Sequence, residues 1–212
     1  MTEYLTEQEQ IELLKNWIKQ YSAVILTGLL IAAMSITGWR YWQQRQINTL
    51  NRASAIYDEM LTKRVQNDPE ATVIQAQKLY SHYPKTVYGQ FATLMLARAA
   101  LEKNNLAEAE KQFNIVIRQS NVASLRQIAR LRLARLLISE NKYQDAIKIL
   151  HKVDDKNFNG LTNEIRGDAY LAMRNIAKAR EMYQQALADL PNAETIRPLL
   201  QMKYDNLASN PS

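Results

Sequence analysis

Charged residues are missing from one stretch of this chain and frequent everywhere else. Between Lys19 and Arg40 lie 20 residues without a charge. At helical rise that run covers roughly 30 Å, the hydrocarbon thickness of a bilayer. Trp17, Lys19 and Tyr21 stand at one edge, and Trp39, Arg40, Tyr41 and Trp42 at the other. Aromatic rings and long basic side chains at both ends are the pattern of a membrane-spanning helix. The pattern predicts a transmembrane helix over 21–42, behind a short acidic tail over 1–20. In that tail Thr6 and Glu9 have capping-box spacing, and Ile11, Leu14 and Ile18 recur at helical period. The run is too long for the apolar core of a signal peptide. Bulky Trp39, Tyr41 and Trp42 stand where cleavage needs small residues, so the segment is expected to stay as an anchor.

Beyond Trp42 the apolar positions change period. Ile47, Leu50, Ala53, Ile56, Met60 and Leu61 continue one long helix to about Gln66. Asp68-Pro69 breaks it and starts a second helix, which ends at Tyr83-Pro84. From Phe91 onward the layout repeats: an apolar helix, a polar turn with Asn, then an amphipathic helix. Ala109, Ala146 and Ala179 hold the same place in three units, 37 and 33 residues apart. In the last unit Ala179, Met182, Tyr183, Ala186, Leu187 and Leu190 form one continuous apolar stripe. One helix pair cannot cover such a stripe, so neighbouring pairs must stack. The expected fold class is all-α: a single N-terminal transmembrane helix followed by an α-solenoid of helical repeats. The expected division is a long helix and divergent pair over 43–90, three repeats over 91–191, and a capping helix and tail over 192–212.

Composition narrows the function classes. Glycine and proline number five each and cysteine is absent, which excludes disulfides and thiolate chemistry. Net charge is +6, a mild surplus that reads as solvated surface rather than a nucleic-acid footprint. His82 and His151 each fall near a helix end, and Asp154-Asp155 reads as a turn pair. No metal-binding, phosphate-loop or nucleophile motif appears, so no enzyme activity and no cofactor are expected. Orientation stays open on charge. Lys15 and Lys19 precede the span while Arg40, Arg45 and Arg52 follow it, a slight lean toward a cytoplasmic domain. Gly28 with Ala32, and Ala33 with Thr37, have the spacing that lets helices approach closely in lipid, or the spacing of chance in an Ala-rich span.

The third unit resembles a tetratricopeptide repeat, on Gly167, Tyr170, Ala179, Tyr183, Ala186 and Pro191. The second keeps Leu133, Ala134, Leu137, Ala146 and Leu150; the first keeps Leu96, Ala97, Ala109 and Phe113. Both lack the closing proline, with Phe158 and Asn121 in its place. Asn163 and Arg166 stand where apolar residues are usual, so the repeats are degenerate. A narrower resemblance covers almost the whole chain. Gly38-Trp39-Arg40-Tyr41-Trp42, the Leu131–Ala134 run, Gln201-Met202-Lys203 and Asn206-Leu207 are similar to the YfgM family of bacterial inner-membrane proteins. That resemblance implies an ancillary subunit of the SecYEG translocon. It also implies a cytoplasmic N-terminus, a periplasmic repeat domain, and association with the membrane-anchored chaperone PpiD. Through these, secreted client proteins would pass to periplasmic chaperones. A link to a response regulator in envelope stress is the alternative that the same resemblance implies.

If the protein works by holding others, two surfaces are candidates. The anchor comprises Tyr21, Gly28, Ala32, Trp39, Arg40 and Trp42. The inner face of the repeat stack offers Tyr88, Phe91, Leu94, Arg98, Arg126, Arg130 and Tyr170, suited to an extended peptide or a partner helix. Core packing is the competing explanation for the apolar ones. The helix over 124–137 carries Arg126, Arg130, Arg132 and Arg135, expected as a solvated face or as a match for an acidic partner.

Overall fold

A computed structural model describes residues 7–190 and 195–208. Thr6 of the capping box, the closing Pro191 and Glu194 of the last helix lie outside these residues. The chain forms two compact units that meet between Asn51 and Arg52. Among the described residues secondary structure is helical throughout. The first helix, α1 (Glu7–Val65), is 59 residues long and contributes to both units.

In the first unit every described side chain from Gln8 to Asn51 is exposed. The helix holds an 18-residue window of mean hydropathy 1.8, none of it buried, long and apolar enough to cross a membrane. Its few hydroxyls bond back onto their own helix. Thr27 donates to the Ala23 carbonyl at 2.6 Å, Ser35 to Ile31 at 2.8 Å and Thr37 to Ala33 at 2.8 Å. Such back-bonding satisfies these hydroxyls within the helix itself, as an apolar surrounding would require. At the two edges Trp17 and Tyr21 pair at 5.4 Å between ring centroids, and Trp39 and Trp42 do the same. Arg45 lies over the Tyr41 ring at 4.7 Å.

The second unit is a row of helix pairs. The C-terminal part of α1 pairs with α2 (Pro69–His82), α3 (Val87–Glu102) with α4 (Leu106–Gln119), and α5 (Ala123–Ser139) with α6 (Tyr143–Leu150). After a single 3-10 turn at Lys156–Phe158 come α7 (Asn159–Ala172), α8 (Ile176–Asp189) and a terminal α9 (Arg197–Ala208).

One turn geometry recurs within all four pairs. Asn67, Asn104, Asn141 and Arg174 have φ of 56°, 56°, 61° and 59°. The amide after each reaches back five residues: Asp68 to Lys63 at 3.0 Å, Asn105 to Ala100 at 2.8 Å, Lys142 to Leu137 at 2.8 Å and Asn175 to Tyr170 at 2.9 Å. This is the Schellman closure, and asparagine is the side chain that best tolerates its left-handed position after glycine. In three of the four the next helix then starts on a side-chain cap: the carboxylate of Asp68 accepts from Ala71 N, and the amide oxygens of Asn105 and Asn175 from Glu108 N and Lys178 N, whereas Lys142 before α6 gives none. The turn at Asn67 thus matches those of the repeats recognisable in the sequence.

Small and large residues interlock between the helices. Ala97, Ala109, Ala134, Ala146, Ala169, Ala179 and Ala186 are fully buried. They let helix backbones approach, while Phe113 and Tyr183 fill the intervening space. A Cβ on Gly167 would overlap the Tyr183 ring, so the small residue there is required by its aromatic partner. Two buried glutamines fasten the stack, Gln90 to the end of its own pair and Gln127 to the start of the next. Gln90 and Gln127 each precede a left-handed turn residue by 14 positions. Gln90 accepts from Ser120 at 2.6 Å, and Gln127 accepts from Asp154 N at 3.0 Å while donating to Thr162 at 3.0 Å.

Candidate functional site

The candidate residues separate once folded. Leu94 is buried in the main core, 5 % exposed. Tyr88 and Phe91 pack against Tyr57 of α1 at 5.3 and 5.8 Å between rings. Tyr170 packs in the last repeat, under the ammonium of Lys178 at 5.3 Å. Arg130 is 8 % exposed and gives its Nε to Asp154 at 2.9 Å; Arg126 Nε lies 3.4 Å from the same carboxylate. Asp154 is therefore an ion-pair centre rather than a plain turn residue. Burial works to raise its pKa, but Arg130, with Arg126 and Lys152, holds it below the usual carboxylate value. The expectation of one solvated arginine face fails for Arg130, which sits on the inward side of α5 with Asp154 as counter-ion. Arg132 and Arg135, on the other side of the helix, are exposed.

Phe91, Leu94 and Arg98 do come together, along a groove formed by α1, α3 and α5. Three adjoining hollows share Arg98 as a common border. The middle one, of about 210 Å³, is floored by Tyr57, Phe91, Leu94, Met95, Leu125 and Ile128, with Arg64, Arg98 and Arg132 around it. The next, of about 400 Å³, continues along Leu101, Leu106, Phe113 and Leu136, edged by Arg98, Arg132 and Arg135. A third, of about 710 Å³, opens at the first turn between Arg64, Asp68, Glu70, Arg98, Glu102 and Lys103.

The guanidinium groups of this groove are close enough to feel one another. Partial burial lowers the pKa of Arg132, and the positive charges of Arg98, Arg135 and Arg64 lower it further. Arg98 has an exposed partner in Glu102 at 2.8 Å, and Arg135 a distant one in Glu164 at 3.8 Å. Arg64 and Arg132 were not among the candidates for the inner face. A pattern in the sequence could have found them: Arg64, Arg98 and Arg132 recur every 34 residues. Each lies on the first helix of its pair.

The last repeat answers differently. Glu164 and Asp168 hold the positions in α7 that Leu131 and Arg135 hold in α5, counted back from the turn residue. Lys203 of α9 bridges them, at 2.9 Å from Glu164 and 2.8 Å from Asp168. Asp168 also accepts from the Tyr183 hydroxyl at 2.7 Å. Burial works against the Lys203 charge, yet bonds to Asp168 and Glu164 raise its pKa above the ordinary value. Burial first, then Asp168, pushes the Tyr183 phenol well up. Here the charges are matched inside the chain.

Among the described residues no three His, Asp or Glu side chains gather in a way that could hold a metal ion. His82 is exposed at the end of α2, its Nδ1 within 3.0 Å of the Lys78 carbonyl. His151 is exposed after α6. In the apolar helix, open space surrounds Gly28 and Gly38, and Tyr21, Trp39 and Trp42 are exposed.

Comparison with known proteins agrees with this geometry. Residues 15–209 match the family model described as a tetratricopeptide repeat-like domain. A protein of Aggregatibacter actinomycetemcomitans named an ancillary SecYEG translocon subunit is 30 % identical over 203 residues, covering 96 % of this chain and 98 % of the relative. Proteins of the same name from Haemophilus influenzae and Escherichia coli are 29 % and 26 % identical, covering 96 % and 97 % of this chain and 98 % of each relative. Among solved structures, MamA 41-end from Desulfovibrio magneticus RS-1 superposes with a TM-score of 0.53 at 16 % identity. It covers 74 % of this chain and 89 % of that one, and speaks for the fold alone.

Proposed function

The chain belongs to the tetratricopeptide repeat-like family whose curated relatives are ancillary SecYEG translocon subunits, and on that premise we propose that it is itself such a subunit. The observation that carries the proposal is the extent of the match. The aligned length takes in the apolar helix and the repeats together, in one order, over 96 % of the chain. A repeat domain borrowed for another purpose would share the repeats alone.

In this reading residues 21–42 cross the bacterial inner membrane, with the N-terminus in the cytoplasm and the repeat domain in the periplasm. The anchor holds the domain beside the translocon and a PpiD-like membrane-anchored chaperone. The domain acts without catalysis, engaging secreted client proteins as they emerge and passing them to periplasmic chaperones. Its inner face, edged by Arg64, Arg98 and Arg132, is the surface available for holding a chain.

Purification of the full chain from mild detergent is expected to recover a SecY-type channel and a PpiD-like protein; recovery of neither overturns the reading. A second reading rests on Arg40, Arg45 and Arg52, whose charge leans toward a domain in the cytoplasm that reads a response regulator. Alkaline phosphatase fused after Ser212 separates the two. Activity supports the periplasmic placement, and an inactive fusion supports the regulatory one.

A further inference from the structure

We propose that the groove along α1, α3 and α5 selects acidic, apolar-rich peptide segments, with carboxylates set on Arg64, Arg98, Arg132 and Arg135 and apolar side chains in the hollows between them. This deepens the proposed function by giving the chemistry of the segment held, and it rests on that reading.

Three features lead to this occupant. First, the hollows adjoin and share residues. Arg98 borders all three, Arg64 the first two and Arg132 the last two. A segment lying along the groove would meet a guanidinium between one apolar depression and the next. Second, the sign of the charge is unbalanced where the floor is most apolar. No Asp or Glu lines the middle hollow or the one beyond it, whereas the hollow at the first turn includes Asp68, Glu70 and Glu102. Third, the exception lies within the same fold. At the end of the stack, Glu164 and Asp168 are matched by Lys203 from α9. Arg132 has no carboxylate within ion-pair distance among the described residues and stands among like charges. An acidic ligand would relieve that repulsion, and the planar fork of arginine suits carboxylates. The floor of Tyr57, Phe91, Met95 and Ile128 supplies the apolar component. Methionine and aromatic rings there adapt to varied side chains, as a subunit that meets many clients requires.

The test uses the full chain in nonionic detergent and fluorescence anisotropy. The probe is a short fluorescein-labelled peptide alternating glutamate with leucine, blocked at both termini; a lysine–leucine peptide is its counterpart. The glutamate peptide is expected to bind with an affinity that falls as salt rises, and the lysine peptide to bind at least about tenfold more weakly. Arg98→Glu with Arg132→Glu is expected to weaken the glutamate peptide by about tenfold or more. The double change to lysine is expected to weaken it less. Equal binding of the two peptides, or an unchanged affinity in the double glutamate variant, overturns the proposal. Anionic lipid headgroups are the other chemistry an arginine cluster could take. Loss of peptide binding in nanodiscs containing phosphatidylglycerol, with binding kept in phosphatidylcholine alone, would assign the cluster to the membrane and overturn the peptide. The double glutamate variant is expected to recover the SecY-type channel as the parent does. Failure of peptide binding alone then counts against the groove and not against the translocon reading.

Discussion

Two faces of one repeat stack are built on the same backbone and end in opposite electrostatic states. In α3 and α5 the inner positions carry Arg98, Arg132 and Arg135, exposed and mutually repelling. In α7 the position that matches Arg98 and Arg135 carries Asp168, with Glu164 one turn before it, and Lys203 of α9 closes over both. The difference is not one of folding quality, since both regions pack fully buried alanines against large side chains. It is one of completion. The end of the stack is finished by its own chain, and the earlier repeats are left for something else to finish. A repeat protein needs a finished end for solubility and an unfinished face for binding.

The finished end should be the fragile one when altered. Tyr183 is fully buried, fills the space beside Gly167 and bonds Asp168. Tyr183→Ala is expected to cost about 3–5 kcal/mol in a chemical melt of the full chain. Gly167→Ala adds a methyl against that ring and should cost about 1–3 kcal/mol. If it costs nothing, the Tyr183 ring does not press on Gly167 in solution. Lys203→Met leaves Glu164 and Asp168 without their cation; since Lys203 is partly exposed, a loss of about 1–2 kcal/mol is expected. Because the folded pKa of Lys203 is raised, that loss should shrink only as pH rises through it, where the ammonium is neutralised.

Acid tests the connection between α6 and α7. Asp154, which binds Arg130 and Arg126, has its folded pKa below the ordinary value of 3.8. A depressed carboxylate contributes stability above its unfolded pKa and loses it as pH falls through the folded one. The thermal midpoint of the full chain should therefore fall as pH drops below about 4, with a smaller fall in Asp154→Asn. An equal fall in both proteins would show that this ion pair does not set the acid limit. The open face should be nearly indifferent. Arg132→Ala is expected to change stability by no more than about 0.5 kcal/mol. A large loss would mean that Arg132 is structural and the comparison fails.

How far these features could be read in advance follows from how local they are. The charge-free run, the breaks at Asp68-Pro69 and Tyr83-Pro84, and the three helix pairs are written in neighbouring residues, and the structure places helices there. The turn at Asn67 was within reach too, because it shares its asparagine with Asn104 and Asn141. The site was less legible. Arg126, Arg130, Arg132 and Arg135 look alike in sequence, and only packing against Asp154 separates the ion-paired first two from the exposed last two. Leu94 carries the same apolar signal whether it floors a groove or fills a core. Lys203 meets Glu164 across 39 residues, a distance over which no periodicity carries information.

The recurring left-handed turns also bear on how the protein is made. Each joins helices adjacent in the chain, and most packing is between elements close in sequence. Closing such short loops costs little entropy, so structure can grow from the N-terminal side while later residues are still being synthesised. A nascent chain reaching Leu150 already contains three complete helix pairs. It can begin to assemble without cysteine oxidation and before α9 exists.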